Sequence, residues 1–373
     1  MLAAGLWAQA GFSAVGIGLP AIAPALREHF GLSLAQVGVV LAAEWLGSLL
    51  TLLAWGLLAD RVGERRVLAV ALVTCGVFLA AAGQSGSFAS LFALLFLAGA
   101  AGAGVNAASG RAVMGWFDAE ERGLALGIRQ TAVPVGGVFG ALVLPALSVE
   151  GAFLTLAAVC ALGGLVGALV VREPPAAAPP TDAEVQWTLR DRRLWRVCGA
   201  SGFYLTAQIA VMSFVVLYLH DERGLAKQEA AAVLAAVQVG AVVLRIAAGR
   251  WSDVLRSRVV PWQRVGLAVS AATGLATVLL DGPLALLVPV FVLAGSLSMA
   301  WNGLSFATAA ELARRRRSGA AIGVQQSALA AFGVLIPIGF AALAESGSWE
   351  LAYGLAAVGP LLGWVVLRPL RER

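Results

Sequence analysis

GLLADRVGERRVL, residues 56–68, follows a long apolar run and turns abruptly into charge. A glycine, two leucines and an alanine lead to Asp60 and Arg61, and Gly63 then precedes Arg65 and Arg66. The stretch reads as the end of one apolar helix, a tight turn and the start of the next. Gly56, without a side chain, is expected to let a neighbouring helix approach closely. Asp60 can accept hydrogen bonds from helix N-termini or pair with arginine. Arg61, Arg65 and Arg66 are placed to hold the turn at an anionic membrane surface.

The rest of the chain fits a turn at a membrane surface. Its 373 residues are 60% hydrophobic and 13% charged, against about 25% charged in soluble domains. Apolar runs of about twenty residues recur, the length a helix needs to cross a bilayer core. The alternating ten-residue segments of a membrane β-barrel are missing. The reading is an all-α integral membrane protein. The formal charge of +5 then reports topology rather than nucleic-acid binding. Cys75, Cys160 and Cys198 sit in or at the edge of apolar segments and suggest no disulfide framework.

Twelve spans are expected, at 2–26, 34–58, 67–84, 88–113, 122–147, 151–171, 196–219, 228–250, 262–281, 283–309, 318–343 and 349–368. The first is too long for a signal-peptide core and is read as a span. Residues 172–195 are rich in proline and charge and read as a cytoplasmic linker between an N-terminal half, 1–171, and a C-terminal half, 196–373. Of the 26 Lys and Arg residues, Arg27, Arg223 and Lys227 fall on one side and Arg129 and Arg245 inside spans. All the others fall on the opposite side. That bias puts both termini in the cytoplasm.

The halves repeat. LAGAAGAGVNA at 97–107 aligns without gaps on LAGSLSMAWNG at 293–303, so Asn106 matches Asn302. GIRQTA at 127–132 aligns with GVQQSA at 323–328, and GLLAD at 56–60 with GRWSD at 249–253. Parallel repeats of this kind build transporter folds around a site near the bilayer midplane.

The pattern G-x-L-x-D-R-x-G-x-R-R at 56–66 resembles the loop between the second and third transmembrane helices of the major facilitator superfamily of transporters. The resemblance implies twelve helices in two pseudo-symmetric six-helix halves, and a gating role for Gly56, Asp60, Arg61, Gly63, Arg65 and Arg66. GRWSDVLRSR in the second half is a weaker copy without the second glycine, and gives Gly249 and Asp253 as counterparts. Arg245 stands in R-x-x-x-G-x-x-S-D, which is similar to the eighth helix of monocarboxylate transporters and oxalate/formate antiporters. There, an arginine four residues before the glycine contacts the substrate carboxylate. The resemblance also sets the fifth and eighth helices side by side across the halves, which would bring Arg129 and Arg245 towards one cavity.

Ionisable residues inside spans carry the most information, because burying an unpartnered charge costs several kcal/mol. Glu44 lies about 24 Å along its helix from Asp60, Arg129 about 10 Å inside its helix end, and Arg245 about 12 Å from Asp253. Two guanidinium groups facing one cavity invite a carboxylate or similar oxyanion. Glu44 is either a proton-coupling carboxylate or a residue at the extracellular interface. Asn106, Asn302, Gln130, Gln325 and Gln326 either orient a solute or tie helices together. Phe12 and Tyr204 fall near the middle of the first and seventh spans, where such a cavity would be lined. Gln208 lies one turn beyond Tyr204, and Trp301 stands next to Asn302.

No phosphate-binding G-x-x-x-x-G-K-[ST] loop, hydrolytic constellation or metal-ligand set is present, so neither an enzyme nor a bound cofactor is expected. The function read from these residues is secondary active transport of a small organic or inorganic anion by alternating access, with a proton or an exchanged anion as the coupled species. The setting is the lipid bilayer of a bacterial inner membrane, and the working form a monomer. Proton-coupled efflux of drugs or metabolites is the alternative. A non-transporting sensor on the same fold is a third.

Overall fold

The computed structural model describes residues 2–116, 122–170, 190–312 and 318–370. It describes their side chains except at residues 2–6, 60, 107–116, 122–129 and 318–320. The side chains of Asp60 and Arg129, most of the 172–195 linker and the arginines at 314–317 therefore lie outside the described residues.

The chain is helical throughout: α1 Leu2–Ala21, α2 Ala23–Phe30, α3 Leu34–Val62, α4 Glu64–Ala82, α5 Phe88–Trp116, α6 Arg122–Val143, α7 Val149–Val170, α8 Arg192–Asp221, α9 Lys227–Leu255, α10 Val259–Val278, α11 Leu284–Ser298, α12 Asn302–Leu312, α13 Ser318–Ser346 and α14 Trp349–Leu367. Every expected span falls on a helix or a pair of helices. Among the described residues, nine are long and apolar enough to cross a membrane, with α11 and α12 taken as one, and the bent pair α1–α2 makes a tenth.

Two expected single helices are broken. The first span turns by 62° between α1 and α2, where Pro24 opens α2 and brings no backbone N–H to continue the ladder. The tenth span breaks between Ser298 and Asn302. Apolar periodicity runs through both breaks, so a hydropathy reading cannot see them.

The chain divides into two compact units, Met1–Ala177 with Ser213–Ala235, and Ala178–Met212 with Ala236–Arg373. In the first, α3 packs on α5, α4 on both α5 and α7, and α1 on α6 and α7. Glycines set the spacing: a Cβ at Gly76 would lie 2.9 Å from the Ala157 carbonyl, and one at Gly136 2.3 Å from the Ala10 carbonyl. Small residues that let backbones touch are what hold helices together where lipid removes the hydrophobic drive. The tip Ser213–Ala235 is tied to α2 by ion pairs, Arg27 with Asp221 and Lys227 Nζ with Glu28 at 2.5 Å. His220 Nε2 lies 3.5 Å from Glu28. The partners are partly exposed, so each pair adds little stability by itself.

In the second unit, α10 packs on α11 and α14, and α13 on α12 and α14. Its core holds Tyr204, Trp262 and Trp301, all fully buried. The two indoles stack at 6.1 Å and the Tyr204 ring lies 5.7 Å from each.

The quoted stretch forms a turn of one residue. α3 ends at Val62, α4 begins at Glu64, and Gly63 between them has φ +88°, a conformation that glycine adopts without steric cost. Arg61, Arg65 and Arg66 are exposed around it.

Candidate functional site

Arg245 lies on α9 and is 6% exposed. Its Nε donates to the Met299 carbonyl at 3.2 Å. Met299 is the C-cap of α11, at the break in the tenth span. A cation at a helix C-terminus is favoured by the carbonyls that the helix leaves unpaired. Arg245 is thus held at the buried turn that interrupts the tenth span between Ser298 and Asn302.

Asn302 opens α12, three residues beyond Met299. Its Nδ2 donates to Gln208 Oε1 on α8 at 3.4 Å, while its Oδ1 is buried without a hydrogen-bond partner. Both residues are half-buried. The first unit repeats the pairing on α5 and α1, where Gln9 Nε2 donates to Asn106 Oδ1 at 3.1 Å and reaches Ser13 at 3.4 Å. The Asn106–Asn302 equivalence in the repeat is therefore an equivalence of contact: each asparagine meets a glutamine on the opening span of its own half.

The other predicted residues divide by environment. Gln325 is fully buried and its Nε2 donates to Ser201 at 3.1 Å and Ser305 at 2.8 Å, tying α13 to α8 and α12. Gln130 is half-buried on α6. Tyr204 and Trp301 do not line a cavity in this conformation. Both are 0% exposed, and the Tyr204 hydroxyl donates to the Trp262 carbonyl at 3.1 Å. Tyr204 was expected there for its mid-span depth and Trp301 for standing next to Asn302, but aromatic rings in a helix bundle fill interhelix space as readily as they line it. Phe12 is 5% exposed and packs on Gly102, where a Cβ would overlap its ring.

Glu44 is 9% exposed, so its side chain is buried within the first unit rather than water-exposed in this conformation. Its carboxylate faces α1, with Oε2 3.2 Å from where a Cβ on Gly16 would stand, and its backbone lies against Gly99 of α5.

At the gating residues the structure makes one correction. Among the described residues, a Cβ at Gly56 or Gly249 would meet nothing within 4 Å, so neither glycine provides close approach to a described helix in this conformation. A close approach of α3 occurs about two and a half turns earlier, at Gly47. Asp253 accepts from Arg258 Nη1 at 2.5 Å, and Arg258 Nε donates to Glu311 at 3.1 Å. The cluster joins the ends of α9 and α12 across the turn into α10, where Arg256 has φ +48°.

Sequence reasoning missed Gln9, Ser13, Gln238 and the Met299 break. Gln238 is fully buried on the face of α9 that carries Arg245 two turns later, and its Nε2 lies 3.3 Å from Met212 Sδ. A glutamine at i−7 from an intramembrane arginine was the available signal. Among the described residues no group of three or more His, Cys, Asp or Glu is placed to hold a metal ion.

The chain matches the Major Facilitator Superfamily over residues 6–337. It is 32% identical over 362 residues to an uncharacterized MFS-type transporter of Mycobacterium tuberculosis, covering 95% of this chain and 81% of the relative. It is 25% identical over 383 residues to a probable sulfoacetate transporter of Cupriavidus necator, covering 93% and 87%. Among solved structures it is similar to a bacterial homologue of the human lysosomal transporter Spinster, with a TM-score of 0.78 at 15% identity over 98% of this chain and 95% of that one.

Proposed function

The chain belongs to the Major Facilitator Superfamily of membrane transporters, and on that premise we propose that it carries a small anion across a bacterial inner membrane by alternating access, with Arg245 taking the anion's charge. The observation that carries this reading is the burial of Arg245 at the C-terminal end of α11. A carboxylate or sulfonate can meet the planar guanidinium fork through a bidentate contact. The likeness to a probable sulfoacetate transporter supports an anionic solute. Arg129 is proposed as a second basic contact. Glu44, buried against α1 and α5, is proposed as the proton-coupling carboxylate, since a carboxyl there can exchange charge with solvent only as the protein changes conformation.

The test is a binding screen of purified protein by thermal shift and calorimetry against carboxylates, sulfonates, inorganic anions and cationic drugs. A stabilising anion is expected. A cation as the best ligand overturns the anion reading and favours efflux.

The proposed orientation keeps both termini and the 172–195 linker in the cytoplasm, as the arginine bias directs. Single cysteines at Ala178 and Gly86, in a background without the native three, are expected to behave oppositely towards an impermeant thiol reagent on intact cells. Gly86 should label and Ala178 should not. The reverse result inverts the topology.

A further inference from the structure

The amide pair Asn302–Gln208 says more about the solute than its charge. The two side chains share one hydrogen bond, at 3.4 Å. Whichever way round the amides sit, that bond leaves one carbonyl and one NH2 of the pair not engaged with each other. In the recorded arrangement the carbonyl is Asn302 Oδ1, closed off from solvent and accepting nothing. An unsatisfied buried acceptor is costly, and a hydrogen-bond donor on a bound solute would relieve it. A carboxylate or sulfonate has only acceptor oxygens and cannot donate to it. A hydroxyl both donates and accepts, and so complements a carbonyl beside an NH2.

Position adds to this. Met299, whose carbonyl Arg245 holds, and Asn302 stand on the two sides of the same break. The anchor point of Arg245 and the amide pair are thus three residues apart along the chain, and every residue involved belongs to the second unit.

We propose that the solute is a hydroxylated anion, with its carboxylate or sulfonate on Arg245 and a hydroxyl on Asn302 and Gln208. This rests on the anion reading above and narrows it. Sites built to hydrogen-bond a hydroxyl reject analogues without one far more strongly than apolar pockets discriminate by size, because their own polar groups are then left unpaired.

The experiment compares matched pairs on the full-length protein in detergent by calorimetry, with thermal shift in parallel: glycolate with acetate, lactate with propionate, gluconate with hexanoate. In at least one pair the hydroxylated member is expected to bind tenfold or more tightly. Asn302→Leu should reduce that ratio below threefold while leaving the affinity for the analogue without hydroxyl within threefold. Gln208→Met probes the same pair from α8, and gel filtration checks both variants. Should either variant misfold, the ratio in the parent protein still decides. Equal binding of both members in every pair overturns the hydroxyl inference and leaves the anion reading standing. Binding of a cation in place of every anion, or of no anion at all, overturns both.

Discussion

Arg245→Ala is expected to abolish measurable anion binding, a loss of at least a hundredfold or about 2.8 kcal/mol. The side chain is 6% exposed and reaches the Met299 carbonyl, so the substitution removes both the charge and the clamp on the end of α11. A structural clamp alone predicts lower thermal stability with unchanged ligand affinity. A binding role predicts lost affinity in protein that still elutes as a single peak on gel filtration. Arg245→Lys separates the contributions further. It keeps the charge but offers a point ammonium in place of a planar fork, so affinity should fall by tenfold or more without vanishing. Arg129→Ala is expected to weaken binding by about tenfold, roughly 1.4 kcal/mol. Calorimetry on each variant with the best anion from the screen measures these effects. Arg245→Ala that binds as the parent does would end the assignment.

How far the sequence could be read depends on what kind of information each feature needs. The helices were legible because lipid demands about twenty apolar residues per span, and the turn at 56–68 because Gly63 stands among the charges that interrupt the apolar run and adopts φ +88° without steric cost. Arg245 and Glu44 stood out because charge inside a span is rare. The asparagine pairing was half legible: the repeat matched Asn106 with Asn302, while their glutamine partners, Gln9 and Gln208, come from helices whose facing residues only the packed structure defines. Gly56 shows the limit from the other side. Its motif was recognisable, but whether a glycine touches a neighbour depends on helix rotation, and here the space beside it is open. Tyr204 and Trp301 are buried in this conformation, and neither depth in a span nor a polar neighbour tells a cavity wall from a core.

Gly99→Ala is expected to be severely destabilising, and Gly56→Ala to be harmless. α3 and α5 touch backbone to backbone. A Cβ at Gly99 would stand 2.2 Å from the Glu44 carbonyl oxygen and 2.6 Å from its Cα, and one at Gly47 2.0 Å from the Phe96 carbonyl oxygen. These are backbone atoms in long helices, so no rotamer change relieves the overlap and the helices must separate. Separation also breaks the side-chain bonds that cross the seam, from Ser48 to the Gly99 carbonyl at 3.1 Å and from Thr51 and Trp55 to the Ala100 carbonyl at 2.7 Å each. Overpacking typically costs about 1–3 kcal/mol, and the lost bonds place Gly99→Ala at or beyond the upper end. At Gly56 the added methyl meets nothing within 4 Å, and alanine gains about 1 kcal/mol of helix propensity over glycine. The measurement is the temperature at which detergent-solubilised protein leaves its monodisperse gel-filtration peak. Gly99→Ala should aggregate well below the parent, with Gly56→Ala at or slightly above it. Because Glu44 supplies the backbone that Gly99 touches, any Gly99→Ala protein that survives should also show an altered pH dependence of transport. Equal thermal stability of the two variants would show that the α3–α5 seam does not fix the position of Glu44.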